Sequence, residues 1–404
     1  MISSNNKRVL SGYLATGSNY FLLLLPGGLS SLLIFLLSSN RLLPNRSDLT
    51  LLILNLFQLQ MLGITIVKYG IDQAILSRLR PGNFIKTSHL YKQRVIPLLI
   101  LFCGVIGYLK GWRYSLYFLA ILPMEVLSLI ITVELNISAK YKRGAFLTFL
   151  GYPLAFLSIF LVGFLGLLSL NTIFIILFSS SLLRLLYALT HRNKAGKEDI
   201  AIMSYHIPLQ QIGNFFMFRF DQLLIAWGVC ATLFIKNFSA SQYLFLAKFP
   251  EMSGGIIVGL APILYKRFAD DESFSLSSLL KDKFFIFISL AIIIFQLAIN
   301  FLFLQPQNIG ASLLLYLPFI LGTLLFLPTN LITYRFIKEV QIGKINWLNL
   351  LSILTGIILF SISLICHNPY ILSLIVPCQL LTYILCFHIH LFPNKIGRVS
   401  GSKF

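Results

Sequence analysis

Nine ionisable side chains interrupt stretches of this 404-residue sequence that are otherwise apolar, and they are its strongest candidates for chemistry. A charge in such surroundings costs at least a few kcal/mol, so each must face protein or water. Four are cations and five are acids: Lys68, Arg184, Arg219 and Lys248, and Asp72, Glu125, Glu134, Asp221 and Glu251.

Spacing suggests partners for two of these groups. Lys68 and Asp72 are four residues apart, and Lys248 and Glu251 are three apart. On a helix each pair would share a face. Either each pair neutralises itself within its helix, or its members line a polar cavity, and the spacing leaves both interpretations open.

A third arrangement lies between residues 210 and 221. At about 100° per residue, Gln210, Asn214 and Asp221 fall within about 40° of one another on a helix. Arg219 falls about 160° from Asp221 on an ideal helix, so one of the two must face a different partner unless the helix is irregular there. Polar stripes inside apolar surroundings mark a path or a helix contact.

The segments that carry these groups have the length and composition of membrane spans. The chain is 57% hydrophobic and only 11% charged, with a mean hydropathy of +0.85. Stretches such as Phe21–Ser38, Ser115–Leu135 and Ile345–Cys366 are long enough to cross a hydrocarbon core of about 30 Å. We predict an all-α polytopic membrane protein whose twelve spans have centres near Leu25, Gln60, Leu101, Glu125, Phe156, Leu177, Phe215, Gly255, Ile292, Leu321, Thr355 and Leu380.

The basic residues predict the orientation of those spans. Of the 32 Lys and Arg residues, 23 lie in the N-terminal segment, every second connection and the C-terminal tail, whereas five lie in the other connections. Cytoplasmic loops hold the Lys and Arg excess, so both termini are predicted to be cytoplasmic. This rule also explains the net charge of +19 without a nucleic-acid partner. Trp112, Trp227 and Trp347 fall at span ends, as interfacial anchors do.

Distance along the helix gives the depth of each buried charge. At about 1.5 Å per residue, Lys68 and Glu125 are predicted to lie near the bilayer midplane and Arg184 about 12 Å from the cytoplasmic side. Glu134 lies six residues before Lys140 and is expected at the interface in a structural role.

The twelve spans divide into two sets of six. We predict an N-terminal bundle at 1–190, a cytoplasmic linker at 191–200 and a C-terminal bundle at 201–404. The segments Gly70–Arg78 and Gly259–Arg267 have their glycine, aliphatic and arginine positions in register, which supports an internal repeat. Transporters use repeats of this kind.

Glycines and prolines predict where helices bend, because proline frees a backbone carbonyl. The preferred bending points are Pro26, Gly27, Gly28 and Pro250. The five cysteines form no CxxC pair, and His388 and His390 diverge on a helix, so no metal site is expected. No catalytic arrangement or cofactor motif stands out, and the chain is expected not to be an enzyme.

One segment resembles a known family. The resemblance is carried by Phe218-Arg219-Phe220-Asp221, Tyr243, Ala247, Lys248, Glu251, Pro262 and Lys266-Arg267, and by Gly70, Ile71, Ala74 and Arg78 in the first half. These residues are similar to Wzx-type flippases of lipid-linked oligosaccharides (O-antigen and other surface polysaccharides), in the polysaccharide transporter family of the MOP superfamily, which also holds MATE drug exporters. The chain departs from the family at Ala240-Ser241-Gln242, where a glycine often precedes the tyrosine, and it is short for the family.

The resemblance implies two six-helix bundles around a cationic cavity in the bacterial inner membrane. Its substrate would be an undecaprenyl-pyrophosphate-linked oligosaccharide, carried by alternating access for surface polysaccharide (O-antigen, lipopolysaccharide or capsule) biosynthesis. Polysaccharide polymerase and chain-length machinery are the expected partners. In that role the four cations, Lys68, Arg184, Arg219 and Lys248, would shield the pyrophosphate. Four acids, Asp72, Glu125, Asp221 and Glu251, would hold those cations in the empty site or take up H⁺ or Na⁺ in an antiporter cycle.

Two other classes stay open at this point. A MATE-like, cation-coupled exporter of small molecules should have an acid-dominated cavity, whereas the candidate cations and acids here balance. A membrane glycan polymerase or ligase needs a large external loop with acid, base or Arg and His residues, and the external loops predicted here are short.

Overall fold

The computed structural model describes residues 47–68, 71, 95–137, 140–191, 206–226, 309–338 and 342–388, with single positions at 243, 247, 281, 286–287, 290–291, 293–294 and 297–298. Every element in these ranges is a helix. In chain order they are α1 (Ser47–Val67), α2 (Ile96–Lys110), α3 (Trp112–Ile137), α4 (Tyr141–Phe149), α5 (Tyr152–Phe164), α6 (Leu170–His191), α7 (His206–Ala226), α8 (Ile309–Lys338), α9 (Ile342–Ile365), α10 (Pro369–Ser373) and α11 (Ile375–His388).

Within the described ranges, five segments are long and apolar enough to cross a membrane: Trp112–Leu135, Lys142–Phe164, Leu170–His191, Gly343–Ile365 and Tyr370–His388. The prediction of an all-α polytopic membrane protein is therefore confirmed at this level. Nine of the twelve predicted centres fall within described helices, and the other three, Leu25, Gly255 and Ile292, lie outside the described residues. The number twelve, the orientation of the spans and the domain bounds stay predictions.

The helices carry apolar side chains on their outer as well as their inner faces. On α2, Phe102 and Ile106 are buried, whereas Leu101 and Tyr108 on other faces are exposed by 64% and 91%. Such helices suit hydrocarbon surroundings, where outward-facing leucine costs nothing. Trp112, the first residue of α3, is also exposed, as an interfacial anchor would be.

The chain divides into two compact units, one comprising 1–215 and 222–260 and the other 216–221 and 261–404. In the first unit, α3 is the central helix, because α1, α2, α4 and α6 all pack against it. Gly63 on α1 permits one of these approaches, since a methyl group there would lie 2.8 Å from Leu122 of α3. The central position of α3 buries Glu125 and Glu134.

In the second unit, α11 packs against both α8 and α9. A continuous apolar cluster fills the space between them, formed by Met217, Ile332, Phe336, Ile345, Leu348, Val376, Leu380, Tyr383 and Ile384. One hydroxyl pair crosses it, with the oxygens of Thr333 and Tyr383 2.9 Å apart. Gly356 on α9 lets the Gln379 side chain of α11 lie directly against the α9 backbone.

Candidate functional site

A buried ion pair joins the two helices at the centre of the first unit. Nη1 of Arg184 on α6 lies 2.5 Å from Oε2 of Glu125 on α3. Ser181 donates a hydrogen bond of 2.5 Å to the other carboxylate oxygen, Oε1. Only 7% of the Arg184 side chain and 3% of the Glu125 side chain are exposed. The carboxylate therefore has a charged and a neutral donor, as a buried ion requires.

Helix periodicity explains why α6 supplies both donors. Ser181 and Arg184 are three residues apart, so they lie on one face a single turn from each other. Ser180, four residues before Arg184, also points inward and is buried. Glu125 lies in the middle of the long span Trp112–Leu135, so this face meets it deep in the apolar part of the bundle.

The span that packs against this face of α6 is interrupted. Its sequence from Lys142 to Phe164 is long enough for one crossing, yet the helix ends at Phe149 and begins again at Tyr152. Between them Gly151 has a non-helical backbone with φ −78° and ψ −121°. Pro153 follows in the first turn of α5, where its missing N–H costs no hydrogen bond.

Two carbonyl groups at the interruption lie against α6, and one of them, that of Gly151, also accepts a hydrogen bond from the Ala155 N–H at 3.1 Å. The Ser180 hydroxyl lies 2.6 Å from the carbonyl oxygen of Leu150 and 2.7 Å from that of Gly151. An unpaired backbone carbonyl in a bilayer costs several kcal/mol, and broken spans occur where protein groups replace the lost bonds. Ser180 therefore makes the break tolerable at this depth.

Gly151 also makes room for the ion pair. A methyl group at this position would lie 3.3 Å from Cδ and from Nη1 of Arg184, and equally close to the Thr148 carbonyl oxygen. These contacts are tighter than ordinary van der Waals packing, so a larger residue would require Arg184 or the Thr148 carbonyl to shift by a few tenths of an ångström. The broken span, α6 and α3 thus meet at one site.

The guanidinium keeps donor capacity after it has bound Glu125. Its Nε–H is buried and makes no hydrogen bond within the part of the chain that the structure describes. An unsatisfied buried donor costs about 1–3 kcal/mol. The arrangement can therefore accept another hydrogen-bond acceptor at Arg184.

Other predicted site residues are buried or half-buried on described helices. Lys68 is half-buried just beyond the end of α1, and Arg219 is half-buried on α7. Asp221 is fully buried. All three make other interactions. Glu125 bonds to Arg184 and Ser181, so the described structure brings two of the predicted charged residues, Glu125 and Arg184, into direct contact.

The predicted polar stripe lies on one continuous helix. Residues 206–226 form α7 without a break, so Gln210, Asn214 and Asp221 share a face as the spacing predicts. Gln210 is 1% exposed and makes further interactions, as does Asn214. Glu134, which the sequence assigned to the interface, is only 4% exposed and is therefore surrounded by protein.

Several predicted residues lie outside the described ranges: Asp72, Lys248, Glu251, Pro26, Gly27, Gly28 and Pro250. Most of the two segments proposed as a repeat, and the motif residues Pro262 and Lys266-Arg267, also lie outside them. Of the resembling residues, Phe218 to Asp221 belong to α7, and Tyr243 and Ala247 are buried helical positions. The roles predicted for all these residues stay predictions.

Sequence reasoning missed Ser180, Ser181 and Gly151. A signal was present for the serines, because both fall one turn before Arg184 on its own face. It also missed two buried amide contacts of α1. Gln58 donates to Gln222 at 2.6 Å, and Gln60 accepts from the Tyr117 hydroxyl at 3.1 Å.

These features define a helical membrane protein in which the ion pair of Arg184 and Glu125 is buried inside the first unit. Within the described residues no group of three His, Cys, Asp or Glu side chains could hold a metal ion. Comparison with protein-family models, with curated proteins and with solved structures finds no match to this chain.

Proposed function

We propose that this protein is a flippase of the bacterial inner membrane that moves undecaprenyl-pyrophosphate-linked oligosaccharide from the cytoplasmic to the outer leaflet. The substrate's pyrophosphate is the group that most needs help in crossing, since it is charged and its lipid chain is not. A cation held within the bilayer supplies that help. Alternating access of two six-helix halves is the proposed mode of transport.

The observation that carries the proposal is the buried pair of Arg184 and Glu125. An arginine at bilayer depth is expensive, and such residues face a bundle interior or an aqueous cavity. Here the Arg184 guanidinium is fixed in place by the Glu125 carboxylate and fits into the space beside Gly151. The Lys and Arg bias, the resemblance around α7 and the apolar helices support the same proposal.

The ion pair of Arg184 and Glu125 also makes the alternative function, a MATE-like exporter of cationic small molecules, less favourable. A carrier of cationic drugs needs a carboxylate that is available to its substrate. Glu125 already has two donors, one of them a guanidinium. We therefore prefer an anionic substrate and treat cation export as an outcome of the test.

The test is deletion of the gene in its own host, with complementation by the wild type, by Arg184→Gln and by Arg113→Gln. Arg113 is an exposed arginine at the start of α3, so it is the matched control. Surface glycan and undecaprenyl-linked oligosaccharide in lipid extracts are measured at equal protein level. We expect the deletion and Arg184→Gln to lose surface glycan and to accumulate the lipid-linked precursor inside, and Arg113→Gln to restore both.

Three other results would each contradict the proposal. Normal glycan in the deletion strain, with altered drug sensitivity, would indicate an exporter. Single unpolymerised units at the surface would indicate a polymerase. Normal glycan with Arg184→Gln would remove Arg184 from the mechanism.

A further inference from the structure

α4 is the half of the interrupted span that covers the final turns of α3 and α6. Its Leu147 is fully buried in an apolar cluster with Leu135 of α3 and Ala188 of α6. On both helices these residues lie beyond the ion pair, towards the ends that are predicted to be cytoplasmic. α4 therefore covers the ion pair on that side of the bundle.

α5, the other half of the span, is held by different neighbours. The Phe57 ring of α1 lies edge-on against the rings of Tyr152 and Phe156, at centroid distances of 5.0 and 5.4 Å. α5 also packs along α6. Each half of the span thus belongs to its own set of packed side chains, and the short piece of backbone at residues 150–151 joins the two sets.

The backbone between α4 and α5 lacks hydrogen bonds that keep a helix rigid. The Gly151 N–H bonds to the Thr148 carbonyl oxygen, three residues back, instead of to that of Leu147. Pro153 has no N–H to give to the carbonyl group of Phe149. Helices bend at such points, and a few residues at the end of an element can absorb the backbone rotation of a hinge.

One hydroxyl of α6 holds both sides of this break. The Ser180 oxygen lies 2.6 Å from the carbonyl oxygen of Leu150, at the end of α4, and 2.7 Å from that of Gly151, at the start of α5. A hydroxyl has a single hydrogen, so it serves one carbonyl at a time. The Gly151 oxygen keeps the Ala155 N–H in either case. The bond from Ser180 to Leu150 is therefore the one that breaks if α4 moves and α5 stays.

We propose that the span is hinged at Leu150 and Gly151, and that α4 is a gate that swings away from α3 and α6 while α5 stays docked on α1. The Ser180 hydroxyl stabilises the closed position. Opening gives water access to the ion pair of Glu125 and Arg184 from the side predicted to be cytoplasmic. The proposal rests on the proposed function only where it takes this opening to be a step of transport, and the hinge can be tested without transport.

The experiment measures distances between two spin labels by pulsed electron paramagnetic resonance, with the full-length protein in nanodiscs. The labels are attached to p-acetylphenylalanine, so the native cysteines stay in place. The first pair joins Arg143, an exposed residue of α4, to Ile100, an exposed residue of α2. The matched pair joins Leu161, an exposed residue of α5, to the same position on α2.

Two serine variants are compared with the wild type. Ser180→Ala removes the hydroxyl at the hinge. Ser158→Ala is the matched control, because that hydroxyl bonds back to the Leu154 carbonyl within α5. We expect two distances for the α4 pair and one for the α5 pair. Ser180→Ala should raise the ratio of open to closed molecules about fivefold, the effect of one lost hydrogen bond, and Ser158→Ala should leave it unchanged.

A single narrow distance for the α4 pair, in the wild type and in Ser180→Ala alike, would overturn the proposal. So would the same two distances in the α5 pair, because the span would then move as one helix. Equal effects of the two serine variants would remove Ser180 from the hinge and overturn it as well. A confirmed hinge together with normal surface glycan in Arg184→Gln cells would reject the flippase and keep the gate. Lost surface glycan with a single α4 distance would do the reverse.

Discussion

The contact between α3 and α6 in the first unit differs in kind from the contacts of α11 in the second unit. In the first unit a full charge pair lies between α3 and α6, with Ser181 as a third member. In the second unit an apolar cluster fills the contacts of α11, and the neutral hydroxyl pair of Thr333 and Tyr383 crosses it. Burying an ion pair stabilises a fold little, and apolar residues of the same volume often do better. The difference therefore suggests that the first unit keeps its charges for use, whereas these contacts of the second unit serve packing.

Breaking the ion pair should have the largest effect on stability. Arg184→Met leaves the Glu125 carboxylate buried without its cation, which should cost about 3–5 kcal/mol. Adding Glu125→Gln should recover most of this loss, since a neutral pair needs no counter-charge. Denaturant unfolding of the purified protein in detergent measures both. Equal stability of Arg184→Met and wild type would mean that water already reaches the carboxylate.

The packing of Gln379 against α9 at Gly356 should show the next largest effect on stability. A methyl group at Gly356 would overlap Nε2 of Gln379 and would lie 2.8 Å from its Cδ. Since Gln379 is fully buried, Gly356→Ala should cost about 1–3 kcal/mol. Gly104→Ala on α2, where nothing lies within 4 Å, should be neutral or slightly stabilising. Thermal unfolding compares the two, and Gln379→Ala should relieve part of the Gly356→Ala loss.

Removing the Ser180 hydroxyl at the interrupted span 142–164 should have a smaller effect on stability. Ser180→Ala removes the donor shared by the carbonyl oxygens of Leu150 and Gly151 and should cost about 1–2 kcal/mol. Ser361→Ala is the matched control, because that exposed hydroxyl only bonds back to Ile357 within α9. We expect the control to stay within about 0.5 kcal/mol of the wild type. Identical unfolding of the two variants would show that the break does not depend on α6.

Breaking the hydrogen bond between the hydroxyls of Thr333 and Tyr383 in the second unit should have the smallest effect on stability. Tyr383→Phe and Thr333→Val each remove one hydroxyl of a buried hydrogen bond. Membrane proteins gain about 0.6 kcal/mol from such a bond on average. A double-mutant cycle on unfolding free energies measures the coupling. If the coupling energy of Thr333 with Tyr383 were as large as that of Arg184 with Glu125, the two contacts would not differ in their contribution to stability.

The sequence determined most of what depends on one helix at a time. Length and hydropathy predicted the apolar spans, and regular spacing placed Gln210, Asn214 and Asp221 on one face of α7. Composition also singled out Glu125 and Arg184, because a charge inside an apolar stretch is visible without any fold. What spacing could not provide was the partner of each charge, since Glu125 and Arg184 are 59 positions apart.

Only the tertiary structure decided those matches between helices. It paired Arg184 with Glu125 and placed the Ser180 hydroxyl beside the carbonyl groups of Leu150 and Gly151. It also showed that the missing side chain of Gly151 leaves space for the guanidinium. The bending points predicted from the sequence did not include Pro153, whereas the span is interrupted just before it and Ser180 of another helix reaches the break. The physical reason is that hydropathy and periodicity describe each helix against its solvent. Buried polar groups are instead placed largely by the partners that neighbouring helices provide, because an unpaired donor or acceptor is costly inside the bundle.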